Sequence, residues 1–96
     1  MKDSLTMREK NLMKLAEVIR NERLASDMSL RQLSILSGVH YSTISKIENC
    51  ELKKIDPIIL CRLSLVLKFD LPKALVLAGY FELVYRLCFE KKWNKF

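Results

Sequence analysis

An all-α fold, a compact helical bundle, is expected from three observations. Apolar residues recur at helical spacing through most of the chain. Only 2 Gly and 2 Pro interrupt the 96 residues, too few for a many-turned all-strand protein. Half of the residues are apolar, which suffices for one modest core without metal or disulfide reinforcement. One domain with no second, catalytic unit is therefore expected.

Residues 5 to 24 place Leu12, Leu15 and Ile19 on one face, widened by Met13, Ala16 and Leu24, while Glu9, Lys10, Lys14, Glu17 and Arg20 face water. This predicts the first, longest helix. Ser29 and Gln32 have the spacing of a capping box, with Met28 in front as a staple for Leu33. The second helix then carries Leu30, Leu33, Ile35 and Leu36 up to Gly38, where the chain is redirected.

Val39, Ile44 and Ile47 are spaced to pack a short third helix, residues 41 to 49, onto the second. Tyr41, Ser42, Ser45 and Lys46 are left to face outward. Asp56-Pro57 caps and starts a fourth helix, whose buried stripe is Ile59, Leu60, Leu63, Val66 and Leu67. Asp70 and Pro72 start a short fifth helix through Leu77, ending near Gly79. Residues 81 to 92 form the sixth, rich in large apolar groups.

The 17 Lys and Arg exceed the 11 Asp and Glu, leaving a formal net charge of +6 that favours an anionic partner. The charge is spread along the chain rather than gathered in a polybasic tail. Cys50, Cys61 and Cys88 are odd in number and lack Cys-x-x-Cys spacing, so reduced thiols in the cytoplasm are expected. No N-terminal stretch has signal-peptide form. Ile55 to Leu67 is broken by Asp56, Pro57, Arg62 and Ser64, which excludes it as a membrane span.

Catalytic and metal chemistry find no support. His40 is the lone histidine, the dispersed cysteines offer no four-ligand zinc set, and Cys50 lies ten residues from His40 with no orienting carboxylate or oxyanion motif. There is no Gly-rich phosphate loop. Neither enzyme activity nor any cofactor or metal is expected.

The segment from Ser29 to Asn49 instead reads as two short amphipathic helices hinged at Gly38, the arrangement in which one helix braces another in a DNA major groove. Across residues 12 to 78 the chain resembles the lambda-repressor-like, or Cro/repressor, helix-turn-helix family. The likeness lies in Leu33-Ser34, Gly38-Val39, the run Ser42 to Asn49, and Leu63 to Leu67 followed by the short helix from Asp70.

The resemblance implies a compact five-helix, repressor-like domain with a helix-turn-helix, here followed by an additional C-terminal helix, that binds DNA as a homodimer on a near-palindromic double-stranded operator, most often as a repressor. It implies that Tyr41, Ser42, Ser45 and Lys46 face the bases, with His40, Thr43, Asn49 and Lys53 near phosphates. The reach of their guanidinium groups adds Arg23 and Arg31 as phosphate candidates. Three positions depart from the family's pattern: Leu30 stands where a phosphate-binding glutamine is frequent, His40 replaces a small polar cap, and Cys50 stands where glycine follows Glu-Asn.

The DNA-binding unit is expected over residues 5 to 79, with 80 to 96 as a C-terminal extension. Phe81, Val84, Tyr85, Leu87, Cys88 and Phe89 form its apolar row, a dimerisation surface with Lys91, Lys92 and Lys95 at its wetter edge. The same residues can instead cover the core of one chain. An antitoxin-like or other protein-interaction module, binding a partner protein through residues 80 to 96, is the alternative to a regulator. Glu48 is expected to be structural; Lys53 or Lys54 can help neutralise it, but the sequence does not identify the pair.

Overall fold

The computed structural model describes residues 4–88, apart from the side chains of Leu87 and Cys88. These residues form α1 (Met7–Ala25), α2 (Leu30–Ser37), α3 (Tyr41–Glu48), α4 (Pro57–Leu67), α5 (Leu71–Leu77) and α6 (Phe81–Cys88). The fold is all-α, a five-helix core followed by α6. Phe89 and the lysines at 91, 92 and 95 lie outside the described residues, as does the remainder of the sixth helix expected to 92.

Helix starts follow side-chain chemistry closely. Ser29 Oγ accepts the Gln32 N–H at 3.1 Å while Gln32 Oε1 accepts the Ser29 N–H at 2.8 Å, the reciprocal capping box that opens α2. Asp56 accepts the Ile58 N–H at 2.9 Å at the head of α4, and Asp70 accepts the Lys73 N–H at 3.1 Å at the head of α5. Each satisfies an amide that the first helical turn leaves open. α1 begins at Met7 rather than residue 5, because Thr6 and Glu9 form a second capping box.

Helix ends depend less on glycine. Gly38 adopts φ 77 after α2 and Gly79 φ 97 after α5, the left-handed conformation that glycine accepts without a Cβ clash. Asp27, Cys50 and Lys68 take the same region, with φ 57, 59 and 62. At Cys50 the closure is a Schellman motif: the Cys50 N–H donates to Ile47 O at 3.1 Å and the Glu51 N–H to Lys46 O at 2.8 Å. The cysteine thus occupies the conformation for which glycine is suited.

Leu15 and Ile19 of α1, Leu33 of α2, Ile44 of α3, and Leu60 and Leu63 of α4 are fully buried and form the centre of the core. Ile47, Ile55, Leu67, Ala74 and Leu75 complete it, with Val39 at the turn. α2 packs on α3 and α4, and α1 on α3, α4 and α5. The apolar stripes are narrower than the sequence suggests. Ile35 is 81% exposed and Leu36 61%, because α2 meets its neighbours along Leu33 with only Leu30 as a flank; Met13 and Leu24 of α1 are exposed as well.

α6 leans on α5. Tyr80, just before it, donates its hydroxyl to Ile55 O at 2.7 Å and packs with Val84 on the core. The junction between residues 79 and 80 is therefore pinned to the loop that precedes α4.

A left-handed non-glycine residue carries about 1–2 kcal/mol of strain, against about 0.4–1 kcal/mol of extra unfolded-state freedom that glycine introduces. Cys50→Gly is accordingly expected to stabilise the fold by about 0.5–1 kcal/mol, read as a higher urea midpoint at unchanged m-value. A lower midpoint would mean that the cysteine side chain contributes packing that outweighs the backbone strain.

Candidate nucleic-acid interface

α3 is presented by its neighbours rather than by its own stability. Its eight residues are fewer than an isolated helix needs in water. Ile44 and Ile47 anchor it in the core, and at 100° per residue Ser42 and Lys46 fall on the side opposite Ile44. Lys46, Tyr41 and Asn49 are exposed, while Ser42, Thr43 and Ser45 are half-buried. Asn49 Nδ2 donates to Ser45 Oγ at 3.4 Å.

The turn before α3 is held from both sides. The Gly38 N–H donates to Ser34 O at 2.9 Å, the Val39 N–H to Ser37 Oγ at 3.1 Å, and Arg62 Nη1 from α4 to Gly38 O at 3.4 Å. These bonds set the angle between α2 and α3.

His40 caps α3 in place of a small polar residue. Its Nδ1 accepts the Ser42 N–H at 3.1 Å, and Ser42 Oγ lies 2.9 Å from the same nitrogen. The imidazole stacks on Tyr41 with ring centroids 4.7 Å apart and 26° between planes. The guanidinium carbon of Arg31, on the first turn of α2, sits 4.8 Å from the Tyr41 ring centroid, a cation–π distance. Arg31, Tyr41 and His40 thus form one exposed cluster bridging the N-terminal ends of α2 and α3. No local spacing announces it, since Arg31 and Tyr41 meet only once Gly38 has turned the chain.

Arg23 lies apart from these exposed groups. Its Nε and Nη2 donate to the two carboxylate oxygens of Glu48 at 2.8 and 2.9 Å, and its Nη1 donates to Met28 O at 2.8 Å. The Arg23 and Glu48 side chains are only 11% and 5% exposed. All three guanidinium nitrogens therefore point inward, which ties the end of α1 to the end of α3 and to the loop before α2. Glu48 has the structural role expected of it, but Arg23 is its partner in place of Lys53 or Lys54. The chain turns away at Cys50, and Lys53 O instead accepts Arg8 Nη2 at 2.9 Å.

The Glu48 hydrogen bonds raise the Arg23 pKa, against a lowering by burial, and Coulombic attraction to the carboxylate raises it further. A cation whose folded pKa is raised contributes stability that is fully present below its unfolded pKa and is lost only above its folded one. For arginine that loss lies at strongly alkaline pH. The charge that holds α3 to α1 is constant wherever the protein would work.

Lys53 is exposed at the exit from α3. On α6, Phe81 and Tyr85 are exposed with ring centroids 6.3 Å apart, whereas Val84 packs on the core. Leu87 and Cys88 belong to α6, and Phe89 lies beyond the described residues. Among the described residues no three His, Cys, Asp or Glu side chains gather as a metal site, and no helix is long and apolar enough to cross a membrane.

Two short helices joined at a left-handed glycine, the second packed on α1 and α2 and exposing a polar face, define the class of helix-turn-helix DNA-binding domains. The helix-turn-helix family model matches residues 19–73, more than half of the chain, and the chain belongs to that family, a lambda-repressor-like domain. Membership assigns a general role in sequence-specific DNA binding and regulation to a non-catalytic domain. Comparison with curated proteins and with solved structures gives no match.

Removing one partner of a largely buried, bidentate ion pair leaves the other charge uncompensated. Glu48→Ala is expected to cost about 2–3 kcal/mol in urea unfolding, whereas Glu51→Ala, at an exposed position in the following turn, should stay within about 0.5 kcal/mol. Equal effects of the two substitutions would remove the pair from its bracing role.

Proposed function

We propose that the protein is a transcriptional repressor that binds a near-palindromic operator as a homodimer, with α3 in the major groove. The observation that carries the reading is the outward face of α3. Tyr41, Ser42, Ser45 and Lys46 lie together at the end of a braced helix-turn-helix, turned from the core by Ile44 and Ile47. Hydroxyls can donate to or accept from base edges, Lys46 reaches guanine acceptors, and Tyr41 offers a ring to a thymine methyl.

His40, Thr43, Asn49 and Lys53 surround that face and are assigned to phosphates, which position the protein without specifying sequence. Arg31 joins them. Its guanidinium lies on the Tyr41 ring and keeps edge N–H groups for an anion. Arg23 is better read as a positioning residue, because its donors are committed to Glu48 and Met28.

The homodimer is supported by reach. Eight helical residues span about 12 Å, so a single α3 covers only a few base pairs, and paired half-sites about one DNA turn apart extend the target. The exposed Phe81–Tyr85 pair on α6 is assigned to the isologous contact. In this reading residues 5–79 are the DNA-binding unit and 80–96 the dimerising extension. Tyr80 and Val84, which pack on the core, fix where that extension leaves it.

Selection from a random duplex library is expected to return one reproducible, near-palindromic motif. Lys46→Ala should reduce preference at one position of each half-site by about 1–3 kcal/mol while leaving the circular dichroism unchanged. Equal, weak retention of unrelated duplexes would contradict a sequence-specific regulator. Light scattering should give a dimer that becomes monomeric in the Phe81→Asp, Tyr85→Asp double variant; an undiminished dimer would move the contact elsewhere.

A further inference from the structure

The backbone N–H of Ser42 is an obligate donor, so His40 Nδ1, which receives it at 3.1 Å, carries no proton. That contact assigns Nδ1 as the acceptor and the ring hydrogen to Nε2. Ser42 Oγ lies 2.9 Å from Nδ1, and with that nitrogen an acceptor the hydroxyl is the donor, sharing the single ring lone pair with the amide in a three-centre bond. The Ser42 O–H is thus directed back at His40, which leaves the outward side of Oγ as an acceptor alone. Ser45 has the opposite polarity: its Oγ receives Asn49 Nδ2 at 3.4 Å and keeps its own hydrogen to donate.

We propose that Ser42 reads an exocyclic amino group in the major groove, adenine N6 or cytosine N4, because His40 fixes its hydroxyl as an acceptor. The inference rests on the reading that α3 enters the major groove and goes beyond it by giving one base-facing side chain a defined polarity. An unconstrained serine can serve either donors or acceptors on base edges. Here the rare histidine cap removes one of those options, so the residue that ends the turn also sets what the helix reads. His40 is a positioning residue acting through Ser42.

Every base pair shows both an amino group and acceptors in the major groove, so the test removes single atoms. On a duplex chosen from the random library, the position whose preference disappears in Ser42→Ala is rebuilt with an analogue lacking the exocyclic amino group, and separately with a 7-deaza purine lacking the N7 acceptor. Loss of the amino group should weaken wild-type binding about 3- to 10-fold, the scale of one neutral hydrogen bond. It should leave Ser42→Ala unchanged, and the 7-deaza purine should be neutral for both.

His40→Ala, checked for folding by circular dichroism, frees the hydroxyl to donate as well as accept and should relax the preference at that position, so that a base pair presenting an acceptor there is bound nearly as well as the selected one. A penalty on removing N7 with none on removing the amino group would overturn the assigned polarity. So would a base preference at that position that is as sharp in His40→Ala as in the wild type. If Ser42→Ala keeps every base preference of a protein that still selects one motif, the inference falls while the proposed function stands; if no motif is selected at all, both fall.

Discussion

α3 is too short to hold itself, and the candidate interface depends on how it is clamped. Ile44 and Ile47 fasten one side of the helix to the core, while Glu48 fastens its last turn to Arg23 at the end of α1. The two attachments differ in kind. Apolar contact is non-directional and resists withdrawal of the helix, whereas the two-pronged guanidinium–carboxylate bond fixes rotation and axial position. Arg23 also holds Met28 O, so the same group orients the approach to α2. The outward residues of α3 inherit their geometry from side chains on its inner side.

A second constraint acts at the other end. The left-handed Gly38 is tied to Ser34 and Arg62, and His40 closes the first turn of α3 through its ring nitrogen. Stacking of His40 and Arg31 about Tyr41 then limits the rotamers of three long side chains before any ligand arrives. Such preorganisation lowers the ordering entropy lost on binding. It also places two groups able to meet phosphate, Arg31 and His40, against a ring assigned to the bases.

Local chemistry made much of the fold legible. Ser29 with Gln32, Asp56 with Pro57, and Asp70 with Pro72 announce helix starts in two to four residues, and each cap is present. Gly38 and Gly79 mark two helix ends in the same way. The ends at Asp27, Cys50 and Lys68 were not marked by composition, because each places a non-glycine residue in the left-handed region, which residue type alone does not announce. Burial was overestimated at Ile35 and Leu36 for a related reason: periodicity identifies an apolar face, but only tertiary contact decides how wide a face is covered. The outward set on α3 followed from the spacing of Ile44 and Ile47. The Arg23–Glu48 pair and the Arg31–Tyr41 contact join residues on separate helices, and one sequence offers no local signal for either.

The central claim is that the face braced by these contacts is the one that meets DNA. Amide and side-chain NMR shifts followed during titration with a duplex selected from a random library test it most directly. The account predicts that the largest changes fall on Arg31, on residues 40–46 and on Lys53, with Phe81 and Tyr85 unmoved by the duplex. Changes concentrated on α6 or on the outer face of α1, with α3 unaffected, would contradict it.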